Sequence, residues 1–313
     1  MKAIIIEEFG DTDKLIYVDV PKPIIQEHEL LIRNIAISIN PVDVRTRAGS
    51  AMAEHLKKFM PITLGWDVAG IVEETGSKVS MFKKGDSVFG LVNFLGHGKA
   101  YAEYVAIPED QLAIKPASIN FNEAAAATLS ALTAWQLLRH YANVKNGDRI
   151  LIQAASGGVG HFAVQIAKIL GAYVIGVSSS KNRDFVLGLG ADEHIAYDKE
   201  NGESVFSDID IVVDAFAFNS LVKSLSIVKP GGRIISLLPM ISDEVKKLAI
   251  EKGVEIHYEL VHSSGDDMKM IAEMMSKGLL RTHVSEIFPF TNMEQAHLAM
   301  QSGHTVGKIV VSV

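Results

Sequence analysis

The chain has 313 residues, no cysteine and a formal net charge of −7. A disulfide framework, an iron–sulfur cluster, a thiolate nucleophile and thiolate-bound zinc are therefore excluded. With 48% hydrophobic and 21% charged residues, usage is ordinary for a globular chain, and the length suits two domains at about 150 residues each.

The opening MKAIIIEEFGDTDK is strand-like and acidic, without the basic-then-apolar order of a signal peptide. Residues 2–6, 29–39, 69–74, 87–92 and 101–107 are rich in Val and Ile and bounded by Gly, Pro or Asp, which predicts strands. Turn signals fall between them at Pro21-Lys22-Pro23, Asn40-Pro41, Lys84-Gly85-Asp86 and Gly96-His97-Gly98. The pattern predicts a β-rich, barrel-like unit. Near Pro116 it changes. Asn120 and Glu123 have the spacing of a capping box, and a helix of about 18 residues is expected to follow through His140.

Strands and helices then alternate. Strands are expected over 149–154, 172–178, 194–197, 210–215, 232–238 and 254–260, with helices at 160–170 and 182–189. Such alternation implies right-handed crossovers and a parallel sheet with helices on both faces. From about Gly265 the tail leaves this pattern, with helices at 266–277 and 292–301 and a strand at 307–313; the reading is that it returns to the first domain. The expected architecture is α/β, with a β-rich domain over 1–118 and 265–313 and a doubly wound parallel sheet over 119–264. No apolar stretch is long enough to span a membrane, because residues 124–138 are interrupted by Thr and Ser. The acidic balance, with no run of Lys and Arg, turns the reading away from nucleic acid and membrane as partners. A cysteine-free, leaderless reading points to the cytoplasm.

Residues 150–172 read ILIQAASGGVGHFAVQIAKILGA. An apolar strand runs into Ala154, Ser156, Gly157, Gly158, Val159 and Gly160, and then into a helix. This is the dinucleotide fingerprint with Ala154 in place of its first Gly. Gly157 lets the backbone approach a pyrophosphate, Gly160 lets helix and strand pack closely, and the helix N-terminus offers N–H groups to phosphate. The flanking strand and helix are the context the motif requires; a Gly-rich turn used only for packing is the alternative. The second strand carries the cofactor choice. An NAD site has an Asp or Glu about 20 residues past the first Gly. Here Ser178, Ser179, Ser180, Lys181 and Arg183 stand in that place, and the first carboxylate is Asp184. Hydroxyls and cations suit a 2′-phosphate, so NADPH is expected; solvated surface charges are the alternative.

The whole chain resembles the medium-chain dehydrogenase/reductase superfamily in its zinc-independent quinone oxidoreductase branch. The resemblance is carried by Ser38-Ile39-Asn40-Pro41-Val42-Asp43, Gly65-Trp66-Asp67-Val68-Ala69-Gly70, Val79 through Gly85-Asp86-Ser87-Val88, Leu132-Thr133-Ala134-Trp135, the turn at 154–160, Leu189-Gly190-Ala191-Asp192, Lys229-Pro230-Gly231-Gly232-Arg233 and Gly307-Lys308-Ile309-Val310. It implies a GroES-like catalytic domain formed by both chain ends, a central Rossmann domain, a cleft between them, hydride transfer from NADPH, and a homodimer or homotetramer. Zinc-dependent relatives have Cys at the place of Asn40 and Gly-His-Glu at the place of Gly65-Trp66-Asp67. No metal is expected here, since the cysteines and that histidine are absent and zinc needs several converging ligands.

Without a Lewis acid, the expected substrate is a small electrophilic acceptor: a quinone or an α,β-unsaturated carbonyl. Its reduction leaves charge on oxygen, which calls for positioning and hydrogen-bond donors. Asn40, Asp43 and Arg45 are the catalytic candidates, with Pro41 expected to hold the chain extended. Asp43, Arg45 and Arg47 read equally as a solvated turn with an ion pair. Arg45 stands where many family members have Tyr, and it suits an acceptor bearing a negative group. Trp66, Phe94 and Leu95 are pocket candidates; Trp66 reads equally as a core residue, and Asp67 as a brace for the 40–45 turn. The resemblance places Thr133 and Lys308 at the cofactor. Phe216, Leu237 and Leu238 follow strand ends, where ligands of such sheets bind. A second hypothesis stands beside the reductase: an NADPH-binding sensor or partner-binding protein with little catalysis.

Overall fold

The computed structural model describes residues 1–199 and 207–313. The first part of the chain forms β1 (Lys2–Ile6), β2 (Ile16–Asp19), β3 (Glu29–Ile39), β4 (Ile62–Thr63), β5 (Asp67–Thr75), β6 (Ser87–Leu91), β7 (Tyr104–Pro108) and β8 (Ala113–Ile114). The middle adds β9 (Arg149–Ile152), β10 (Tyr173–Ser178), β11 (Glu193–Ala196), β12 (Ile209–Asp214), β13 (Val228–Ser236) and β14 (Glu255–Tyr258). The tail adds β15 (Val284–Pro289) and β16 (Lys308–Ser312). Two compact units result: Met1–Leu132 with His262–Val313, and Thr133–Val261.

The first unit is β-rich. Its larger sheet runs β15-β16-β3-β5-β6-β8 with β7 also on β3, and a smaller sheet runs β2-β1-β4. The tail strand β16 pairs antiparallel with β3, Ile309 opposite Ile39. That register brings Lys308 beside Asn40. The first boundary lies at Leu132, not at residue 118, for a packing reason. Helix Phe121–Ala126 buries Ala124, Ala125 and Ala126 on β3, β5 and β16. The single long helix expected to follow is three segments, Phe121–Ala126, Thr128–Trp135 and a π-helical turn Gln136–Tyr141. At the first break the Thr128 hydroxyl donates to the Ala125 carbonyl at 2.8 Å. Strand β15 has no counterpart among the expected elements. It is an edge strand with mostly exposed side chains, so it lacks the alternation that marks a half-buried strand.

The second unit is a doubly wound parallel sheet, order β11-β10-β9-β12-β13-β14. Its core joins Leu151, Ile175, Val212 and Ile234 of the strands to Leu221, Leu225, Val245 and Ala249 of helices Asn219–Ile227 and Asp243–Lys252. After β9 the chain builds outward through β10 and β11, then returns to place β12 on the other side of β9. The switch point therefore lies between β9 and β12, and the crevice outside their carboxyl ends is where such sheets take ligands. No helix among the described residues is long and apolar enough to cross a membrane.

Candidate functional site

The glycine-rich turn leaves β9 at that switch point. Ala154 has φ +48°, a conformation that glycine adopts without strain and alanine does not. The turn closes tightly: a Cβ on Gly160 would lie 2.1 Å from the Ala154 carbonyl oxygen, so position 160 admits glycine alone. Gly157 N–H donates to the Ala154 carbonyl at 2.8 Å, and the His161 ring Nδ1 lies 2.9 Å from the Gly157 carbonyl. Helix Gly160–Ile169 then begins with Val159 as its N-cap. The turn's frame reaches the segment that follows β10, because the Asn182 side-chain amide donates to the Ser156 hydroxyl at 3.0 Å.

Across β10 the picture is mixed. Ser178 is buried; its hydroxyl is 2.8 Å from His194 Nε2 and donates to the Ser179 carbonyl. It is held inside the sheet, which corrects its expected role as a cofactor-facing hydroxyl. Ser179 is half-buried, while Lys181 and Arg183 are exposed. Arg183 has a solvated contact to Asp184 at 3.6 Å.

At the end of β12 stands a feature that strand patterning does not mark. Buried Asp214 accepts the Phe216 and Ala217 amides on Oδ1, at 3.0 and 2.8 Å, and the Ser220 and Ser224 hydroxyls on Oδ2, at 2.7 and 3.0 Å. Gln153, next to the glycine-rich turn, accepts the Ala215 amide at 3.1 Å and donates to Ser220 at 2.8 Å. These bonds hold Ala217 and Phe218 at φ +56° and +48°, a conformation that persists in ordinary residues only where the surroundings over-determine it. The result is an elbow that presents Phe216 and Phe218, 58% and 63% exposed, at the switch point. Beyond β13, the Leu237 amide donates to the Asp214 carbonyl and the Ser236 hydroxyl to the Leu238 carbonyl, both at 2.8 Å.

In the β-rich unit, the catalytic candidates form a buried network. Pro41 does not extend the chain. It is the first residue of helix Pro41–Arg47, where its fixed φ is pre-organised and its missing N–H costs nothing. Asn40 caps this helix, and its own amide donates to Asp43 Oδ2 at 2.6 Å. The Asn40 carboxamide is fully buried and engaged at both ends. Its Nδ2 donates to Asp67 Oδ2 at 2.7 Å, and its Oδ1 accepts from Lys308 Nζ. Lys308, 1% exposed, also donates to the Ile39 carbonyl at 3.3 Å and lies 3.7 Å from Asp67 Oδ2. Asp67 Oδ1 accepts the Leu129 amide at 2.9 Å, so the carboxylate also caps helix Thr128–Trp135.

These contacts correct several expectations. Asn40 and Asp43 are not open cleft groups: both are buried and bonded within the protein, where they brace helix Pro41–Arg47. Lys308 is not a chain-end surface lysine but a buried partner of Asn40. Asp43 does not pair with Arg45, which is exposed. Arg47 is not solvated: it is fully buried, with Nη2 3.3 Å from Gln301 Oε1. The Tyr101 hydroxyl and His297 Nε2 complete the cluster at 3.0 Å. Burial and then the Asp67 charge push the Asp43 carboxyl up to about 8. Burial also holds the Lys308 ammonium below its ordinary value, against the pull of Asp67 and Asp43. It pushes His297 down to about 3, with Arg47 adding to the effect.

The loop at 93–98 sits over Trp66. Trp66 is buried, donates from Nε1 to the Gly96 carbonyl at 2.9 Å and meets the Phe94 ring edge-on at 5.4 Å. It is the core residue of the two readings, not an open wall. Phe94 is half-buried and Leu95 exposed. His97 Nε2 lies 2.9 Å from the Thr63 carbonyl, and burial followed by the Lys99 charge lowers it to about 4.

Comparison with known proteins decides the family. Residues 26–117 match the family model described as "Alcohol dehydrogenase GroES-like domain", and 189–311 the one described as "Zinc-binding dehydrogenase". The chain is 34% identical to the chloroplastic quinone-oxidoreductase homolog of Spinacia oleracea, over 96% of this chain and 95% of that protein. The quinone oxidoreductase of Coxiella burnetii superposes with TM-score 0.94 at 35% identity, covering 100% of this chain and 99% of that one. The Escherichia coli quinone oxidoreductase complexed with NADPH superposes at 0.89 with 26% identity, covering 100% of both chains. The chain belongs to the medium-chain dehydrogenase/reductase superfamily, in its quinone oxidoreductase branch.

As a member of that branch it is an oxidoreductase, and its β-rich unit is GroES-like. The description of one family model mentions zinc, but this chain has no cysteine, and among the described residues no three of His, Asp and Glu converge as metal ligands. Asn40, at the place of a zinc-ligating Cys in metal-dependent relatives, is instead held between Asp67 and Lys308. Asp214 ends a strand as expected, but sequence reading missed its partners Gln153, Ser220 and Ser224. An Asp at the end of a predicted strand, six and ten residues before two serines, was the available signal.

Proposed function

We propose that this oxidoreductase is zinc-independent, uses NADPH, and reduces a quinone or an α,β-unsaturated carbonyl. The observation that carries the reading is the 154–160 turn at the switch point, closed so tightly that position 160 must be glycine. A dinucleotide fits this cradle. Ser156, Gly157, Gly158 and Val159 offer backbone and hydroxyl groups to the pyrophosphate, at the positive end of helix Gly160–Ile169. Ser179, Lys181 and Arg183 hold the 2′-phosphate. Phe216, Leu237, Leu238 and Thr133 flank the ribose and nicotinamide. When bound, NADPH supplies the hydride.

The chain's own part is positioning and charge stabilisation. The buried Asn40–Asp43–Asp67–Lys308 network fixes helix Pro41–Arg47, from which Arg45 projects exposed. Arg45 offers a positive group to an acceptor whose oxygen gains charge, while Phe94 and Leu95 supply apolar surface. The final proton comes from solvent. The reading includes a homodimer or homotetramer in the cytoplasm, with a small molecule as its partner in the reaction.

The test follows NADPH and NADH absorbance with a small quinone and a short enone in metal-free buffer. Turnover with NADPH and either acceptor is expected, and the faster acceptor narrows the class. NADPH binding without turnover on any such acceptor would overturn the reductase. Replacing Lys181 and Arg183 together by Gln should weaken NADPH about ten-fold or more while leaving NADH nearly unchanged, since charge-assisted bonds to phosphate are lost.

A further inference from the structure

The turn after β10 holds a charge that its own sequence does not contain. β10 and β11 pair in parallel with Ser178 opposite Ala196, and the Tyr197 amide donates to the Ser178 carbonyl at 3.1 Å. The two strands therefore end side by side, and Asp198 meets Ser180. Its Oδ1 accepts the Ser180 amide at 2.7 Å and its Oδ2 the Ser180 hydroxyl at 2.8 Å. These two donors hold the Asp198 carboxyl below the ordinary carboxylate range, so it is ionised at neutral pH. The residue stays exposed, next in space to the turn that carries Lys181 and Arg183.

We propose that Asp198 is a cofactor-specificity residue, a carboxylate that opposes the 2′-phosphate of NADPH at this turn and keeps NADH usable. The inference rests on the reading that places the 2′-phosphate at residues 179–183. Three consequences of the geometry support it. The two Ser180 donors that a phosphate would take are already occupied. A phosphate monoester carrying more than one negative charge meets a like charge held in place by two hydrogen bonds. The 2′-hydroxyl of NADH meets no such repulsion and can donate to a carboxylate.

Asp198→Asn tests this, because it removes the charge and keeps an acceptor oxygen for Ser180. Dissociation constants of NADPH and NADH are measured by fluorescence titration at low and high salt. NADPH should bind about three- to ten-fold more tightly at low salt, the gain should shrink in high salt, and NADH should stay equal or weaken. Unchanged or weaker NADPH binding would overturn the inference. So would an equal gain in Ser180→Ala, which removes a donor but leaves the carboxylate charged. The Lys181 and Arg183 replacements separate the two levels. If they fail to discriminate NADPH from NADH, the placement of the phosphate falls. If they discriminate and Asp198→Asn does not, only the role of Asp198 falls.

Discussion

The buried network of the β-rich unit and the exposed turn after β10 are built from the same kinds of residue: carboxylates, cations and small polar groups. In the first, Asn40, Asp43, Asp67 and Lys308 have no more than 1% exposure and bond one another, with Asp43 Oδ1 left without a partner among the described residues. In the second, Lys181, Arg183 and Asp198 face water. Burial makes every charge in the first set dependent on its partners, because a lone ion in a low-dielectric interior is very costly. Solvent makes each charge in the second set nearly free to keep, and so available for recognition. Chemistry-bearing residue types therefore mark a ligand site only when water, and hence a ligand, can reach them.

Lys308→Met strikes the buried set hardest. It leaves Asp67 without its cation and should cost about 3–5 kcal/mol of stability, read from urea unfolding. A loss as small as that of an exposed ion pair would erase the contrast. The next effect is on pH dependence. Asp43 titrates near 8 in the folded chain and at about 3.9 when unfolded. The native state thus holds the extra proton, and stability falls as pH rises from the unfolded value through the folded one. His97 and His297, lowered to about 4 and about 3, act in the opposite sense. Their contribution is lost as pH falls and is complete above about 6.5. Between about 6.5 and 8 the Asp43 decline should stand out in unfolding free energy, and Asp43→Asn should flatten it.

The exposed set should respond differently. Gln at Lys181 and Arg183 should leave the melting temperature within about 2 °C of the parent while changing NADPH affinity. A large drop in melting temperature would show that these charges are structural after all. The smallest effect concerns the Asp214 elbow. Phe218 is exposed and held at φ +48°, so Phe218→Gly should raise stability by about 1 kcal/mol, since strain is relieved and little packing is lost. A lower melting temperature would mean that the ring contributes more than its exposure suggests.

What was legible in the sequence was local. The glycine-rich turn, the capping box at Asn120 and Glu123, and the alternation of strands with helices all depend on residues a few positions apart, and the structure contains each of them. The start of helix Pro41–Arg47 is legible too, in Asn40 and Asp43 at capping-box spacing with proline between them, although a proline there equally suits an extended chain. What escaped depends on distant segments. Lys308 reaches Asn40 because β16 pairs with β3. Asp198 reaches Ser180 because β11 lies beside β10 in one register. Asp214 gathers serines from the following helix, and β15 is an edge strand with too little burial to pattern its side chains.

By itself the sequence determined the α/β class, the dinucleotide turn and the family, because hydrophobic period, glycine geometry and a set of motifs along the whole chain are properties of neighbouring residues. Only the tertiary structure decided which polar residues are braces and which are open to ligands. That distinction turns on burial and on charges brought together by strand pairing, and neither is a local property: Asn40 and Asp43 look reactive on paper and are buried, while the turn of hydroxyls and cations shares its space with Asp198.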